Sequence, residues 1–334
     1  MNDRQKDGAL FYGWIVIAIT FICLCITFGI RSAIGAFVAS WELDFSAGRS
    51  QITLVSGLCY LTFIFFQPVV GRATDQLGAR FVLTASILLT GGGLYLSSLA
   101  TDFWQLIITY GLIASIGMVG ASPVTATAVV ARWFEKKQGA VLGLVLSGMS
   151  VGQMVMGPLC IFLIDHYDWR FALSVLGLGI LLVGPLCYFF LKSRPEDLGL
   201  LPYGAEGRNP GPEPDPAPQR TAAASPFSVF RNKIFWYLAL PYFVCGFTDV
   251  GFTSTHFIPY AEGRGYSAVL IAAAYSLIAA ANIAGTIGAG ALSDRFNRSR
   301  LLTAVYWLRA AIFLLLFTLL DHPAGLLLFA VVYG

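Results

Sequence analysis

Between Tyr12 and Arg31 lie eighteen consecutive residues without a charge. Coiled as an α-helix, such a run is long enough to cross a bilayer core of about 30 Å. Similar runs recur along the chain instead of alternating with polar residues. The composition agrees: 57% of the 334 residues are hydrophobic and 12% are charged, about half the charged fraction of an ordinary soluble domain. The chain is therefore expected to be an all-α polytopic membrane protein. The polar start, Met1–Gly8, leads into the first run without a small-residue cleavage site, so that run is expected to act as its own insertion signal.

Nine complete spans are expected, at 11–38, 51–71, 80–99, 104–130, 139–163, 171–191, 234–258, 267–291 and 301–320. A tenth begins near Pro323 and reaches Gly334; its dozen residues would rise only about 17 Å. The connection 192–233 is the long one. Its middle, Asn209–Gln219, reads NPGPEPDPAPQ, where alternating prolines remove backbone donors and favour an extended, solvated linker. The chain is thus expected to comprise a six-helix half at 1–191, a linker region at 192–233 and an incomplete second half at 234–334.

Charge placement orients the chain. Of its 21 lysines and arginines, sixteen fall in the N-terminus and alternate connections, three (Arg49, Arg170, Arg264) in the others, and two (Arg31, Arg309) inside spans. Positive residues stay on the cytoplasmic side, so a cytoplasmic N-terminus in a cell inner (plasma) membrane is expected.

Two connections on that side repeat a pattern. Gly71-Arg-Ala-Thr-Asp75-Gln-Leu-Gly78-Ala-Arg80 joins spans two and three, and Gly290-Ala-Leu-Ser-Asp294-Arg295-Phe-Asn-Arg298 joins spans eight and nine. Two copies in equivalent places point to homologous halves related as parallel repeats. An aspartate near a helix end with basic residues in reach can form ion pairs and meet a helix dipole. Gly71, Asp75, Gly78, Arg80, Gly290, Asp294 and Arg295 are the expected gating residues.

This loop pattern resembles the signature of the major facilitator superfamily, with Gln76 at one basic position and Asn297 at one glycine position. Within it, the chain resembles the monocarboxylate-transporter and oxalate:formate-antiporter group. That likeness rests on Tyr12-Gly13-Trp14, on Arg132-Trp-Phe-Glu-Lys136-Lys137 followed by a glycine-studded fifth span, on Thr255-His256-Phe-Ile-Pro259, and on Arg194-Pro195-Glu-Asp-Leu-Gly199. The resemblance implies two six-helix halves and alternating access. By that measure the second half is expected to be truncated, as a partial gene product or a degenerate short form.

Ionisable residues inside apolar spans are costly and mark pathways or partners. Arg31, Asp249, His256 and Arg309 are the four of note. By the resemblance, spans one, four, seven and ten line a central cavity, which places Arg31, Asp249 and His256 there and Arg309 outside it. Arg31 could bind a carboxylate through its planar fork or snorkel outward. Asp249 could carry a proton or pair with Arg31; His256, at i+7, shares its face with Thr253 between. Animal monocarboxylate transporters carry an Asp and an Arg in helix eight, but the matching positions here are Asn282 and Thr286. Either Arg31 takes over, or a basic residue lies in the missing helices, or the substrate is not a simple anion; Asn282 could still hydrogen-bond a ligand. Ser122, Thr125, Gln153 and Tyr275 are further candidates, with interhelical packing the plainer role.

No G-x-x-x-x-G-K-[ST] or H-E-x-x-H pattern occurs. The six cysteines lie in apolar runs without metal-ligand spacing, so no enzyme, cofactor, metal or nucleic-acid partner is expected. The leading expectation is a secondary carrier of a small organic anion (a monocarboxylate or related acid), coupled to a proton or counter-anion. The rivals are an exporter of drug-like or neutral solutes and a non-transporting sensor or inert fragment.

Overall fold

The computed structural model describes residues 11–205, 231–249, 257–319 and 322–334. The Pro-rich stretch and His256 lie outside the described residues. Among the described residues the fold is helical, with one isolated parallel bridge between Phe134 and Tyr203. Seven helices among the described residues are long and apolar enough to cross a membrane: Gly13–Ser32, Ser50–Leu77, Ala79–Ser98, Phe103–Trp133, Gln138–His166, Trp169–Phe190 and Val269–Ser293.

The chain forms two compact units. The first comprises Met1–Ala205 with Asn282–Phe296, and the second Glu206–Ala281 with Asn297–Gly334. In the first unit, α1 (Gly13–Ser32) and α2 (Ile34–Asp44) meet at Ala33. Then come α3 (Arg49–Leu77) and α4 (Ala79–Ser98). The fourth run holds α5 (Phe103–Leu106), a π-helical stretch (Ile107–Ala114), α6 (Ser115–Gly120) and α7 (Pro123–Trp133). Next are α8 (Gln138–His166), α9 (Trp169–Phe190) and a 3₁₀ turn at Pro195–Leu198.

The fourth run breaks for a chemical reason. The residue before a proline is pushed to extended backbone, and Ser122, ahead of Pro123, has φ −127° and ψ 169°. The break frees carbonyls that an apolar environment cannot satisfy, and side chains supply the donors. Thr27 Oγ1 donates to the Ala121 carbonyl at 3.0 Å and Thr125 Oγ1 to that of Gly120 at 2.8 Å.

The most extensive pairings in this unit are α4 with α9 and α1 with α8. Small residues let their backbones approach, which is how helices gain contact where lipid is as apolar as leucine. A Cβ on Gly152 would lie 2.0 Å from the Cys25 carbonyl oxygen, and one on Gly91 would lie 2.8 Å from that of Gly177. At one end of the unit, Asp44 pairs with Arg170 and accepts the Trp169 indole N–H at 2.9 Å.

The second unit contains α10 (Lys233–Gly246), α11 (Phe257–Gly263), the first half of α12 (Ala268–Ser293), α13 (Arg298–Leu319) and α14 (Pro323–Tyr333). Its core gathers Phe257, Ile271, Ala274, Ile278, Ile312 and Phe329.

Candidate functional site: an aromatic-bedded arginine and a capped helix end

Arg31 occupies the last turn of α1, directly before the joint at Ala33. There the helix tightens: the Ala33 N–H reaches both the Gly29 and Ile30 carbonyls, at 3.1 and 3.2 Å. The guanidinium carbon lies 4.8 Å from the ring centroids of Phe28 and Phe63 and 5.6 Å from that of Tyr60. Ring faces are electron-rich and attract a desolvated cation. Among the described residues Arg31 has no carboxylate partner and no hydrogen bond. Its side chain borders a small recess of about 20 Å³, walled also by Ser56, Cys59, Tyr60, Tyr110 and Met118. Arginine's five donors are therefore available to a ligand while the rings hold its charge.

The second loop motif closes on a helix end. Asp294 comes directly after α12, and its carboxylate accepts the Gly139 N–H at 2.7 Å and the Ala140 N–H at 2.9 Å. These are two of the orphan donors that open α8, and the positive end of the helix dipole faces the carboxylate. Small residues permit the approach. A Cβ on Gly139 would stand 2.4 Å from the Gly290 oxygen, and one on Gly143 would stand 2.6 Å from that of Thr286. Arg295 is exposed beside this contact.

The first loop motif ties differently. Gly78, at φ +84°, turns the chain between α3 and α4. Arg80 donates from Nε to the Tyr188 carbonyl at 2.8 Å and lies over that ring, 4.2 Å from its centroid. A Cβ on Gly71 would stand 3.8 Å from Val124, ordinary contact, and Asp75 sits in the last turn of α3.

Asp249 lies in the second unit, where it pairs with Arg309. Arg309 Nη2 donates to Asp249 Oδ1 at 2.7 Å, and the Tyr333 hydroxyl donates to the same oxygen at 2.5 Å. Arg309 also donates to Thr248 Oγ1 at 2.6 Å and to the Cys245 carbonyl at 3.2 Å. The family analogy set Arg309 aside, but the cost of an isolated charge in hydrocarbon pointed to a partner.

Asn282 accepts from Ser150 Oγ at 2.6 Å, joining α12 to α8. Ser122 is buried and donates to Gln67 Oε1 at 3.3 Å, so it and Thr125 serve the broken run. Gln153 is exposed, and Tyr275 lies 6.4 Å from the Phe257 ring centre. Among the described residues no group of three or more His, Cys, Asp or Glu could hold a metal ion.

Comparison with known proteins bears on this arrangement. The chain is 24% identical over 338 residues to an MFS transporter, asaE, of Aspergillus flavus, covering 99% of this chain and 71% of that protein. It is 24% identical over 335 residues to monocarboxylate transporter 13 of Bos taurus, covering 99% and 73%. It is 29% identical over 165 residues to monocarboxylate transporter 9 of Mus musculus, covering 49% of this chain and 32% of that one. The chain thus spans about a third of some relatives and under three quarters of others. Among solved structures, a bacterial homologue of the human lysosomal transporter Spinster superposes with a TM-score of 0.61 at 18% identity, over 98% of this chain and 73% of that one. The proton:xylose symporter XylE superposes at 0.60 with 14% identity, over 96% and 79%. A family model described as Major Facilitator Superfamily matches residues 20–334, and the chain belongs to that superfamily.

Proposed function

We propose that this protein is a secondary active carrier of a small organic anion, working by alternating access in a cell inner (plasma) membrane with its N-terminus cytoplasmic. The observation that carries the reading is Arg31: a guanidinium bedded on three rings, without a carboxylate partner among the described residues, at the edge of a recess. A carboxylate entering that recess would meet a fork of donors whose charge the rings already stabilise. The names of the monocarboxylate transporter relatives agree with an acid as substrate. Coupling to a proton or a counter-anion completes the cycle, and the Asp294 cap on α8 is a contact that the cycle breaks and remakes.

A second reading, export of a neutral or drug-like solute, is favoured by Asn282 and Thr286. These uncharged residues stand where the resemblance would have an acid–base pair, and Asn282 bonds to Ser150.

The test is uptake into proteoliposomes of lactate, pyruvate, oxalate and formate, with and without an inward proton gradient. Saturable uptake of at least one acid is expected. Hydrogen bonds to a charged group contribute about 1.5–3 kcal/mol, so Arg31→Ala should raise KM roughly 10- to 150-fold. No uptake of any acid by folded protein would overturn the anion reading in favour of the neutral one.

A further inference from the structure

Three sequence motifs have no part in the site described so far: Tyr12-Gly13-Trp14, Arg132-Trp133-Phe134 and the stretch after α9 that begins Arg194-Pro195. The fold brings all three to one place. Beyond α9 the chain passes the 3₁₀ turn, reverses at Gly199 with φ +66°, and lays Tyr203 beside Phe134. The Tyr203 N–H donates to the Trp133 carbonyl at 2.8 Å. Its own carbonyl accepts the amides of Glu135 at 3.0 Å and Lys136 at 3.1 Å. The Tyr203 ring packs 5.6 Å from Phe11 and 5.7 Å from Phe134, while Trp14 closes on Phe134 at 5.3 Å. Trp133 and Phe134 are fully buried.

The loop so held runs straight into the capped helix. Lys136 is the last residue bonded to Tyr203, and Gly139 is the first amide bonded to Asp294. Between them Lys137 has φ +57°. A side-chain-bearing residue in that left-handed region is disfavoured and persists only where its surroundings hold it. The preceding turn fixes where the opening N–H groups of α8 stand relative to that carboxylate. Tyr203 supplies that constraint from a segment remote in sequence.

We propose that Tyr203 is a positioning residue for the α8–α12 contact: it sets the backbone of residues 133–137 so that the opening amides of α8 face Asp294. Its influence on the transport cycle rests on the alternating-access reading above; its influence on the contact does not.

The experiment measures the reactivity of a cysteine at Ser293→Cys, which lies partly buried in the contact, in membranes, with mass spectrometry reporting modification at that position. Loss of the aromatic packing in Tyr203→Ala should speed labelling about fivefold, the factor worth ~1 kcal/mol, towards the rate seen with Asp294→Ala. Tyr203→Phe keeps the ring and the backbone bonds and should label at the parent rate. Gly204→Ala is a second probe, because Gly204 has φ +94° and a Cβ there would stand 2.5 Å from the Lys136 side chain; it should move labelling in the same direction without removing the ring. A Tyr203→Ala protein that melts at lower temperature yet labels at the parent rate would overturn the proposal, reducing Tyr203 to packing. Should Tyr203→Ala fail to fold, an unchanged rate in Gly204→Ala would overturn it equally. Faster labelling in a protein that transports nothing would support the tie while removing the transport reading.

Discussion

Removing the Asp294 carboxylate tests the helix-end contact directly. Two charge-assisted hydrogen bonds, at 2.7 and 2.9 Å, join it to the amides of Gly139 and Ala140. Losing a capping side chain costs about 0.5–2 kcal/mol, and the charge at the helix N-terminus adds about 0.3–1 kcal/mol. Asp294 is exposed, so water competes and the sum belongs at its lower end, about 1–2 kcal/mol. Local opening should therefore rise roughly 5- to 30-fold. Hydrogen exchange in detergent or nanodiscs reads this at the two amides themselves, because protection reports local opening free energy. Asp294→Ala should accelerate exchange at Gly139 and Ala140 by that factor. Val141, whose N–H bonds to the Lys137 carbonyl at 3.0 Å, should change less. Asp294→Asn keeps an acceptor and loses the charge, so an increase of about 2- to 5-fold is expected. Unchanged exchange in Asp294→Ala would refute the reasoning, since the cap would then not be holding the end of α8.

Two further perturbations separate packing from charge. Gly152→Ala places a methyl 2.0 Å from a backbone carbonyl, whereas a Cβ at Gly157 meets nothing within 4 Å; the first should lower the thermal midpoint by an amount equivalent to about 1–3 kcal/mol and the second should not, as read by fluorescence-detected gel filtration after heating. Arg309→Ala strips the guanidinium from Asp249 and Tyr333. Hydrogen bonds to a charged group contribute about 1.5–3 kcal/mol, so the loss should be of that order. It should show as faster proteolysis of the second unit, only partly restored by Arg309→Lys, which returns the charge without the fork.

Hydropathy reads how long a segment stays apolar, and the first six spans duly start within a few residues of their helices. It is blind to the events inside a span. The joint at Ala33, the wide turns from Ile107 and the break at Ser122 come from packing, from a proline and from the hydroxyls of Thr27 and Thr125. The loop motif marked Asp294 by its spacing, but its partner lies 155 residues away, beyond the reach of any local pattern. Arg31 was legible as a charge in an apolar run; its bed of Phe28, Tyr60 and Phe63 needed a second helix. Asp249 was legible as a charge in an apolar run too; its pairing with Arg309 needed the fold of the second unit.

The π-helical stretch at Ile107–Ala114 bears on how the recess beside Arg31 came to have its shape. A π turn inserts an extra residue into an α-helix, and each added residue rotates the rest of the helix by about 100°. Tyr110 lies within the stretch, fully buried, with its hydroxyl 3.4 Å from the Ile30 carbonyl. Just past it, Ser115 bonds to Cys59 at 2.8 Å. A regular α-helix of one residue fewer would turn Tyr110 and Ser115 relative to each other and could not aim both at their present neighbours. A single deletion here would leave composition and hydropathy almost untouched while re-indexing one wall of the recess. The shape of such a wall is encoded in the number of residues along the helix as well as in their identity.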